Sequence, residues 1–149
     1  MVEVVSLTTP TASELDQLMK IWLAGNLAAH NFVSPDYWLS HQDQVRELLP
    51  TSQLMVAKHN QEIVGFLGYL PESHEVAGLF VAHDWQHQGI GQQLMATLKA
   101  RKPVLVLYAY ERNQGACQFH QQQGFRITRR QLDETVGQVE LEFSWSANY

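Results

Sequence analysis

The chain has 149 residues, of which 45% are hydrophobic and 17% are charged. This composition predicts a single folded domain, 1–149, with a packed core, and excludes a disordered chain. A formal net charge of −5 argues against a broad surface for nucleic acid or an anionic membrane. The sequence has no membrane-length apolar run, no secretion-signal layout at its start and one cysteine, Cys117, so we expect a cytoplasmic protein without an internal disulfide.

The first half of the chain contains two predicted helices. Thr11 and Glu14 have the spacing of a capping box, and an apolar stripe at helical spacing follows them. Gly25-Asn26 is the predicted end of this helix, since these residue types adopt the left-handed conformation that commonly follows one. Ser34-Pro35 predicts the start of a second helix, which Pro50 stops.

The remaining elements are strands and two further helices. A hairpin turn at 59–62 separates two strand-like runs, and the run 104–109 is apolar enough to be buried on both faces. The order is strand, two helices, three strands, helix, strand, helix and two strands, which is an α/β layout around one sheet. The predicted strands are 2–7, 54–58, 63–70, 75–82, 104–109, 125–130 and 139–145, and the later helices are 92–102 and 113–123.

The stretch from Leu79 to Gly91 joins an apolar strand to a helix through a polar turn with two glycines. The first N–H groups of a helix have no partner inside it and lie at the positive end of its dipole, so this junction predicts an anion site. No Lys-Ser or Lys-Thr follows, which excludes a nucleoside-triphosphate P-loop, and the third glycine of the dinucleotide fingerprint is missing. A plain strand–turn–helix connection is the alternative interpretation.

The pattern Gln86-x-x-Gly89-x-Gly91 resembles the acyl-coenzyme A signature of the GNAT superfamily of N-acetyltransferases. The segment 113–125, with the pattern Asn-x-x-Ala-x-x-Phe-His-x-x-x-Gly-Phe, resembles a second signature of that superfamily. The element order is similar as well, so the resemblance covers nearly the whole chain. It implies the GNAT (acyl-CoA N-acyltransferase) fold, with a mixed central sheet of about seven strands and four helices. The chain is most similar to small bacterial GNAT proteins, some of which acetylate protein lysines.

The resemblance implies an enzyme that transfers an acetyl group from acetyl-coenzyme A directly to a primary amine in a ternary complex. The acceptor would be a small molecule, a protein lysine or an N-terminus, and a homodimer is left open because many relatives dimerise. A non-catalytic acyl-coenzyme A sensor or interaction module on the same fold is the alternative. It is suggested by His120, which stands where the family usually has a tyrosine that protonates the leaving thiolate.

The resemblance also implies which residues bind the cofactor. Backbone N–H groups of the glycine turn would bind the pyrophosphate, and the edge of the preceding strand would bind the pantetheine arm as a neighbouring strand would. Asn113 could cap its helix, contact the cofactor arm, or do both. The implied cofactor-binding residues are Leu79, Phe80, Val81, Gln86, His87, Gln88, Gly89, Ile90, Gly91, Gln92, Asn113, Ala116 and Phe119.

Glu75 is the predicted general base. It lies four residues before Leu79, where many family members carry a strand glutamate, and residues 75, 77, 79 and 81 of one strand would share a face. Apolar neighbours would raise its pKa toward neutrality. A solvated carboxylate at a strand end is the alternative. His30 is the second candidate base, because the loop that carries it borders the acceptor site in the family, and a surface histidine is its alternative.

The proton donor for the leaving thiolate has more than one candidate. His120 could fill this role, as a cation and hence a stronger acid than tyrosine, or could be a surface residue beside an inward Phe119. Tyr110, together with Tyr108 on the same face of its strand, could replace it. The seven histidines form no spacing typical of a metal site, so no metal is predicted.

Overall fold

The computed structural model describes residues 2–148, which form seven strands and five α-helices. Short 3₁₀ turns cover Leu49–Thr51 and His83–Trp85. The strands are β1 (Glu3–Leu7), β2 (Gln53–His59), β3 (Glu62–Leu70), β4 (Glu75–Val81), β5 (Val104–Tyr110), β6 (Arg126–Asp133) and β7 (Gln138–Ser146). The helices are α1 (Ala12–Ala29), α2 (Pro35–Ser40), α3 (Gln42–Leu48), α4 (Ile90–Lys99) and α5 (Gln114–Gln122).

All seven strands belong to one sheet with the order β1-β2-β3-β4-β5-β7-β6. Neighbouring strands are antiparallel except β4 and β5, which are parallel. The α/β fold with a mixed sheet is therefore confirmed. The predicted hairpin between β2 and β3 is also present, and Asn60 and Gln61 form its turn at positive φ values of 50° and 74°.

The prediction of four helices is wrong, because the second predicted helix is divided at His41. The backbone N–H of His41 donates to the carbonyl of Trp38 at 3.2 Å instead of continuing the helical pattern to Tyr37. The Tyr37 carbonyl is contacted by Nδ1 of the His41 ring at 2.5 Å. A side chain thus replaces one helical hydrogen bond, and the chain resumes as α3.

Helix α1 begins as predicted but ends later than predicted. The capping box is formed, with Glu14 N–H donating to Thr11 Oγ1 at 3.1 Å and Thr11 N–H donating to Glu14 Oε1 at 2.9 Å. Gly25 does not end the helix, which continues to Ala29. A Cβ at Gly25 would lie 3.1 Å from the ring of Phe80, so this glycine marks a close approach between the helix and the sheet.

Two hydrophobic clusters cover opposite faces of the sheet. On one face α4 contributes Leu94, Met95 and Leu98, which are almost fully buried against strand residues of β3, β5 and β7. On the other face α1 and α2 contribute Leu18 and Trp38, among others, and pack against β2 and β3. None of the helices described between residues 2 and 148 is both long and apolar enough to cross a membrane.

Strand β4 contains an extra residue that reverses its faces. Gly68 of β3 aligns with Gly78, while the next residue, Tyr69, aligns with Val76, so Ala77 has no aligned partner on β3. Val76 consequently packs in the α4-side cluster together with Leu79, although an even and an odd position would lie on opposite faces of a regular strand. Glu75 therefore faces the α1 side, and the prediction that residues 75, 77, 79 and 81 share a face is wrong.

Candidate active site

A cleft opens where β4 and β5 diverge. The two strands are aligned only at Glu75 and Val106 among the described residues, and beyond this point their facing edges separate. The cavity between them measures about 320 Å³. Its lining includes Asn26, His30, Trp38, Leu79, Phe80, Val81, Gln86, Tyr108, Tyr110, Asn113, Ala116, His120 and Glu140.

The glycine turn leads directly into the N-terminus of α4. Gly89 occupies the N-cap position at φ 81°, a left-handed conformation that glycine adopts without strain, and His87 also has a positive φ of 63°. Within residues 2–148 no side chain caps this helix end, so its first N–H groups remain available to an anion. The helix begins at Ile90, two residues before the predicted start, which places Ile90, Gly91 and Gln92 in its first turn.

Six of the predicted cofactor-binding residues line the cleft, namely Leu79, Phe80, Val81, Gln86, Asn113 and Ala116. Leu79, Phe80 and Val81 form the β4 edge, and the side chain of Gln86 donates to the Val81 carbonyl at 3.1 Å. Gln88 lies in the exposed turn, where its side chain donates to the carbonyl of Asp84 at 3.3 Å. Phe119 of α5 lies beside the turn, since a Cβ on Gly91 would be 3.6 Å from its ring.

A chain of side-chain hydrogen bonds joins α1 to α5 across the cleft. Asn26, which is only 4% exposed, donates through Nδ2 to the Trp22 carbonyl at 2.9 Å, and its Oδ1 lies 3.1 Å from His30 Nδ1. His30 Nε2 lies 3.0 Å from Asn113 Nδ2, and Asn113 Oδ1 accepts from the Ala116 N–H at 3.2 Å. Asn113 thus caps α5 as predicted and contacts His30 at the same time.

The His30 ring is also enclosed by aromatic side chains. It stacks on Trp38 at a centroid distance of 5.3 Å and meets the rings of Phe32 and Tyr110 edge-on at 5.6 and 5.2 Å. Burial lowers the pKa of His30 below its ordinary value. The neutral imidazole is therefore the favoured form of this residue near neutral pH.

His120 is a buried lining residue of the cleft and is not a surface residue. It is 8% exposed, and its ring is surrounded by Phe119, Phe125 and Phe143 at centroid distances of 5.5 to 6.0 Å. Its Nδ1 has no hydrogen-bond partner among residues 2–148. Burial lowers the pKa of His120 to about 4, so the expectation of a cationic acid is wrong, and the ring is neutral near pH 7.

Glu75 lies at the closed end of the cleft. It is half-buried beside Val106, and burial raises the pKa of its carboxyl group, as predicted. It is not among the described residues that line the cavity, although its charge is felt at Tyr108 and Glu140, whose pKa values it helps to raise.

Glu140 of β7 is a lining residue that the sequence interpretation missed. It stands opposite Tyr110 in the β5–β7 pair, and its pKa is raised first by burial and then by the charges of Asp133 and Glu75. The clean polar alternation of β7 made it resemble a solvent-facing residue. Only the sheet order, which inserts β7 between β5 and β6, brings it to the cleft.

Both predicted tyrosines line the cleft but differ in their surroundings. Tyr110 is 9% exposed, and burial, followed by the charges of Tyr37, Asp133 and Glu140, raises the pKa of its hydroxyl group. Tyr108 is more exposed, and its hydroxyl donates to Glu142 at 3.1 Å. Within residues 2–148 no group of three or more His, Cys, Asp or Glu side chains could hold a metal ion.

The chain matches the family model described as "Acetyltransferase (GNAT) domain" over residues 50–127. It is 34% identical over 116 residues to the peptidyl-lysine N-acetyltransferase YiaC of Escherichia coli (strain K12), a match covering 77% of this chain and 79% of YiaC. The peptidyl-lysine N-acetyltransferase YjaB of the same organism is 30% identical over 135 residues, with 90% of each chain covered.

Solved structures agree with these relatives. The solution structure of apo-form YjaB from Escherichia coli superimposes with a TM-score of 0.83 at 26% identity, covering 97% of both chains. The PaiA N-acetyltransferase of Thermoplasma acidophilum, solved in complex with coenzyme A, gives a TM-score of 0.79 at 15% identity and covers 97% of this chain and 99% of that one, which is a likeness of fold. As its two motifs predicted, the chain belongs to the GNAT family and is an acetyl-coenzyme A-dependent N-acetyltransferase.

Proposed function

We propose that the acceptor is the side-chain amine of a lysine in a protein. The observation that carries this proposal is the charge of the cleft: among residues 2–148, Glu140 is the one Asp, Glu, Lys or Arg side chain that lines it. Asp133 and Glu75 lie near enough to raise the pKa of Glu140, so the cavity opens into a region of negative potential. Such a region attracts an ammonium group. The relatives YiaC and YjaB, both named peptidyl-lysine N-acetyltransferases, support the same acceptor class.

Acetyl-coenzyme A supplies the acetyl group as a thioester, and the cleft fits it in two respects. The uncapped N-terminus of α4, with Gly89 at positive φ, offers N–H groups to a diphosphate. The β4 edge at Leu79 to Val81 has no strand partner on its β5 side among the described residues, so it can accept an extended amide-containing arm. Asn113, Ala116 and Phe119 would contact the same molecule from α5.

Glu75 is the proposed general base. The attacking amine must lose a proton, and a carboxylate whose pKa is raised is a better acceptor near neutral pH than an ordinary one. Glu140 is proposed to contact the incoming ammonium group, because it lines the cavity directly. His30 is proposed as a positioning residue rather than as the base, since both of its ring nitrogens already have hydrogen-bond partners.

Tyr110 and His120 are the proposed partners of the departing sulfur. The raised pKa of Tyr110 keeps its hydroxyl protonated near neutral pH, so this group can donate a proton to a thiolate. His120 is neutral, and its Nδ1 has no hydrogen-bond partner among the described residues. This nitrogen can therefore form a hydrogen bond with the departing sulfur group while the ring stays uncharged. Both roles differ from that of an imidazolium acid.

A peptide panel tests the acceptor. The protein is incubated with acetyl-coenzyme A and lysine peptides with a blocked N-terminus, matched peptides with a free N-terminus and no lysine, and polyamines. Thiol release gives the rate, and mass spectrometry identifies the modified nitrogen. Acetylation of lysine Nζ is the expected result. Turnover of polyamines or N-termini with inert lysine peptides would overturn the lysine proposal, while leaving the acetyltransferase activity in place.

The proposal places a single acetyltransferase domain, 1–149, in the cytoplasm, acting on protein and not on nucleic acid. The free thiol of Cys117 supports a reducing compartment. A homodimer is part of the proposal, supported by the exposed apolar side chains of Ile127 and Leu132 on the edge strand β6. Light scattering of the purified protein measures this directly.

A further inference from the structure

A second cavity lies on the α1 face of the sheet, next to the cleft. It measures about 310 Å³, roughly twice the ~150 Å³ of an engineered apolar cavity that binds benzene. Its lining is apolar apart from Thr51 and Ser52, and it includes no charged residue among those described. The large apolar residues of its lining are Trp22, Leu48, Leu49, Phe66, Leu70 and Phe80.

The two cavities meet at the bulge of β4. Ala77, Gly78 and Phe80 line both of them, and of the three only Phe80 has a side chain large enough to separate them. Phe80 is therefore the partition between the cofactor cleft and the second cavity.

The Phe80 ring is held in place by its neighbours. It stacks on Phe66 at a centroid distance of 5.3 Å with an interplanar angle of 28°. A Cβ would lie 2.6 Å from the ring if added at Gly78 and 3.1 Å from it if added at Gly25. The glycines on α1 and β4 thus leave the space that the ring occupies, and its position is fixed from three sides.

We propose that Phe80 limits the length of the acyl group that the enzyme accepts, and that the second cavity is an alkyl site which the ring closes. This inference rests on the binding of an acyl-coenzyme A in the cleft. An acyl chain extending from a thioester held at the β4 edge meets Phe80 first. The occupant that fits behind it is a straight aliphatic chain, because the lining offers apolar surface and no charge with which to bind an ammonium or carboxylate group.

Calorimetric binding of coenzyme A, acetyl-coenzyme A, butyryl-coenzyme A and hexanoyl-coenzyme A tests the proposal without requiring turnover. The wild type is expected to bind the hexanoyl thioester no more tightly than the acetyl one. In Phe80→Ala and in the more conservative Phe80→Leu, the affinity for hexanoyl relative to acetyl should rise at least tenfold. Full burial would give roughly a fourfold gain in affinity for each added methylene. A tenfold total gain therefore requires only part of the added chain to be buried.

The control is Leu39→Ala, which shortens an exposed leucine that lines neither cavity and leaves the partition intact. Its affinity ratio should equal that of the wild type. An unchanged ratio in both Phe80 variants, with coenzyme A binding retained, would overturn the alkyl site alone. A wild type that already prefers hexanoyl would overturn the partition. Failure of the wild type to bind coenzyme A at all would overturn the cofactor cleft and this proposal with it.

Discussion

His30 and Asn113 meet across the cleft with 3.0 Å between Nε2 and Nδ2, and this contact fixes the protonation of the histidine. Asn113 Oδ1 already accepts from the Ala116 N–H, so Nδ2 faces His30 and must donate. His30 Nε2 is then the acceptor, and the ring hydrogen is on Nδ1, where it is donated to Asn26 Oδ1. Protonation of Nε2 would set two donors against each other, which agrees with the lowered pKa of His30.

The first prediction is that His30 is a neutral Nδ1–H tautomer at pH 7.5. Nitrogen-15 correlation spectra of the ring distinguish protonated from unprotonated nitrogens and therefore measure this directly. In Asn113→Ala the ring should lose this preference, because the donor to Nε2 is gone. The exposed His83 serves as the reference ring in the same spectra. A wild-type Nε2–H signal would contradict the proposed role of His30 in positioning Asn113.

The second prediction concerns stability and pH at His120. Its pKa is lowered from 6.5 to about 4 in the folded state, so between these values the unfolded chain binds more protons. The contribution of this pKa shift to the free energy of unfolding is complete above pH 6.5 and is lost as the pH falls toward 4. At ~1.4 kcal/mol per pKa unit, the difference between the folded and unfolded pKa values corresponds to roughly 3 kcal/mol in the free energy of unfolding.

Urea unfolding followed by tryptophan fluorescence between pH 7.5 and 5 measures this effect. In His120→Phe, whose ring suits the surrounding phenylalanines, the pH dependence over this interval should be weaker than in the wild type. Parallel curves for the two proteins would show that His120 titrates normally and would contradict its buried, neutral state.

The third prediction separates the two glycines of the turn. Gly89 has φ 81°, and a Cβ there would contact nothing within 4 Å, so Gly89→Ala should destabilise the fold by about 1 kcal/mol through the backbone alone. Gly91 lies inside α4, and a Cβ there would make an ordinary 3.6 Å contact with Phe119. Gly91→Ala should therefore be neutral or stabilising by up to about 1 kcal/mol.

Thermal unfolding of the two variants compares these effects, and titration of Gly89→Ala with coenzyme A shows whether the helix end still binds it. We expect about a tenfold loss of affinity in Gly89→Ala, since the N–H groups of the first turn must shift. Equal melting temperatures for the two variants would show that the left-handed conformation at Gly89 is not required.

The fourth prediction distinguishes the two carboxylates. Glu75→Gln should lower kcat by about 10²–10⁴-fold and remove the acid limb of its pH profile, because a general base is lost. That limb should lie above the ordinary carboxyl pKa of 4.5 in the wild type, since burial raises the pKa of Glu75. Glu140→Gln should mainly raise KM for the acceptor.

Glu134→Gln is the matched control, because it removes the same charge from an exposed turn residue. Its kinetics should equal those of the wild type. An unchanged kcat in Glu75→Gln together with a large loss in Glu140→Gln would exchange the two proposed roles.

The helix ends show what local sequence could and could not predict. The capping box of Thr11 and Glu14 and the Asn113 cap depend on residues three positions apart, and both were predicted correctly. Gly25 was misinterpreted because its role is set by the distant ring of Phe80, which no local pattern contains. The break at His41 arises from a side chain that contacts a helical carbonyl, a geometry that many sequences could adopt or avoid.

The geometry of the candidate site was predictable where it depends on contiguous backbone and less so where it depends on which strands are neighbours in the sheet. The glycine turn and the β4 edge are contiguous in sequence, so the motif identified them. Glu140 reaches the cleft only because β7 lies beside β5, and the burial of His120 depends on Phe143 from the same strand. A single sequence shows these residues as separate elements, without the sheet order that joins them.

The unaligned Ala77 decides on which side of the sheet an acid is displayed. With this residue present, Val76 faces α4 and Glu75 faces the opposite layer. If Ala77 took the ladder position opposite Tyr69 instead, simple alternation would turn Glu75 and Val76 over, bringing a carboxylate beneath α4 among leucines and sending a valine to the substrate side. One peptide unit outside the ladder thus decides between two fates of the Glu75 carboxylate. It is either an ionisable group that can exchange protons or an uncompensated charge buried among hydrocarbon side chains.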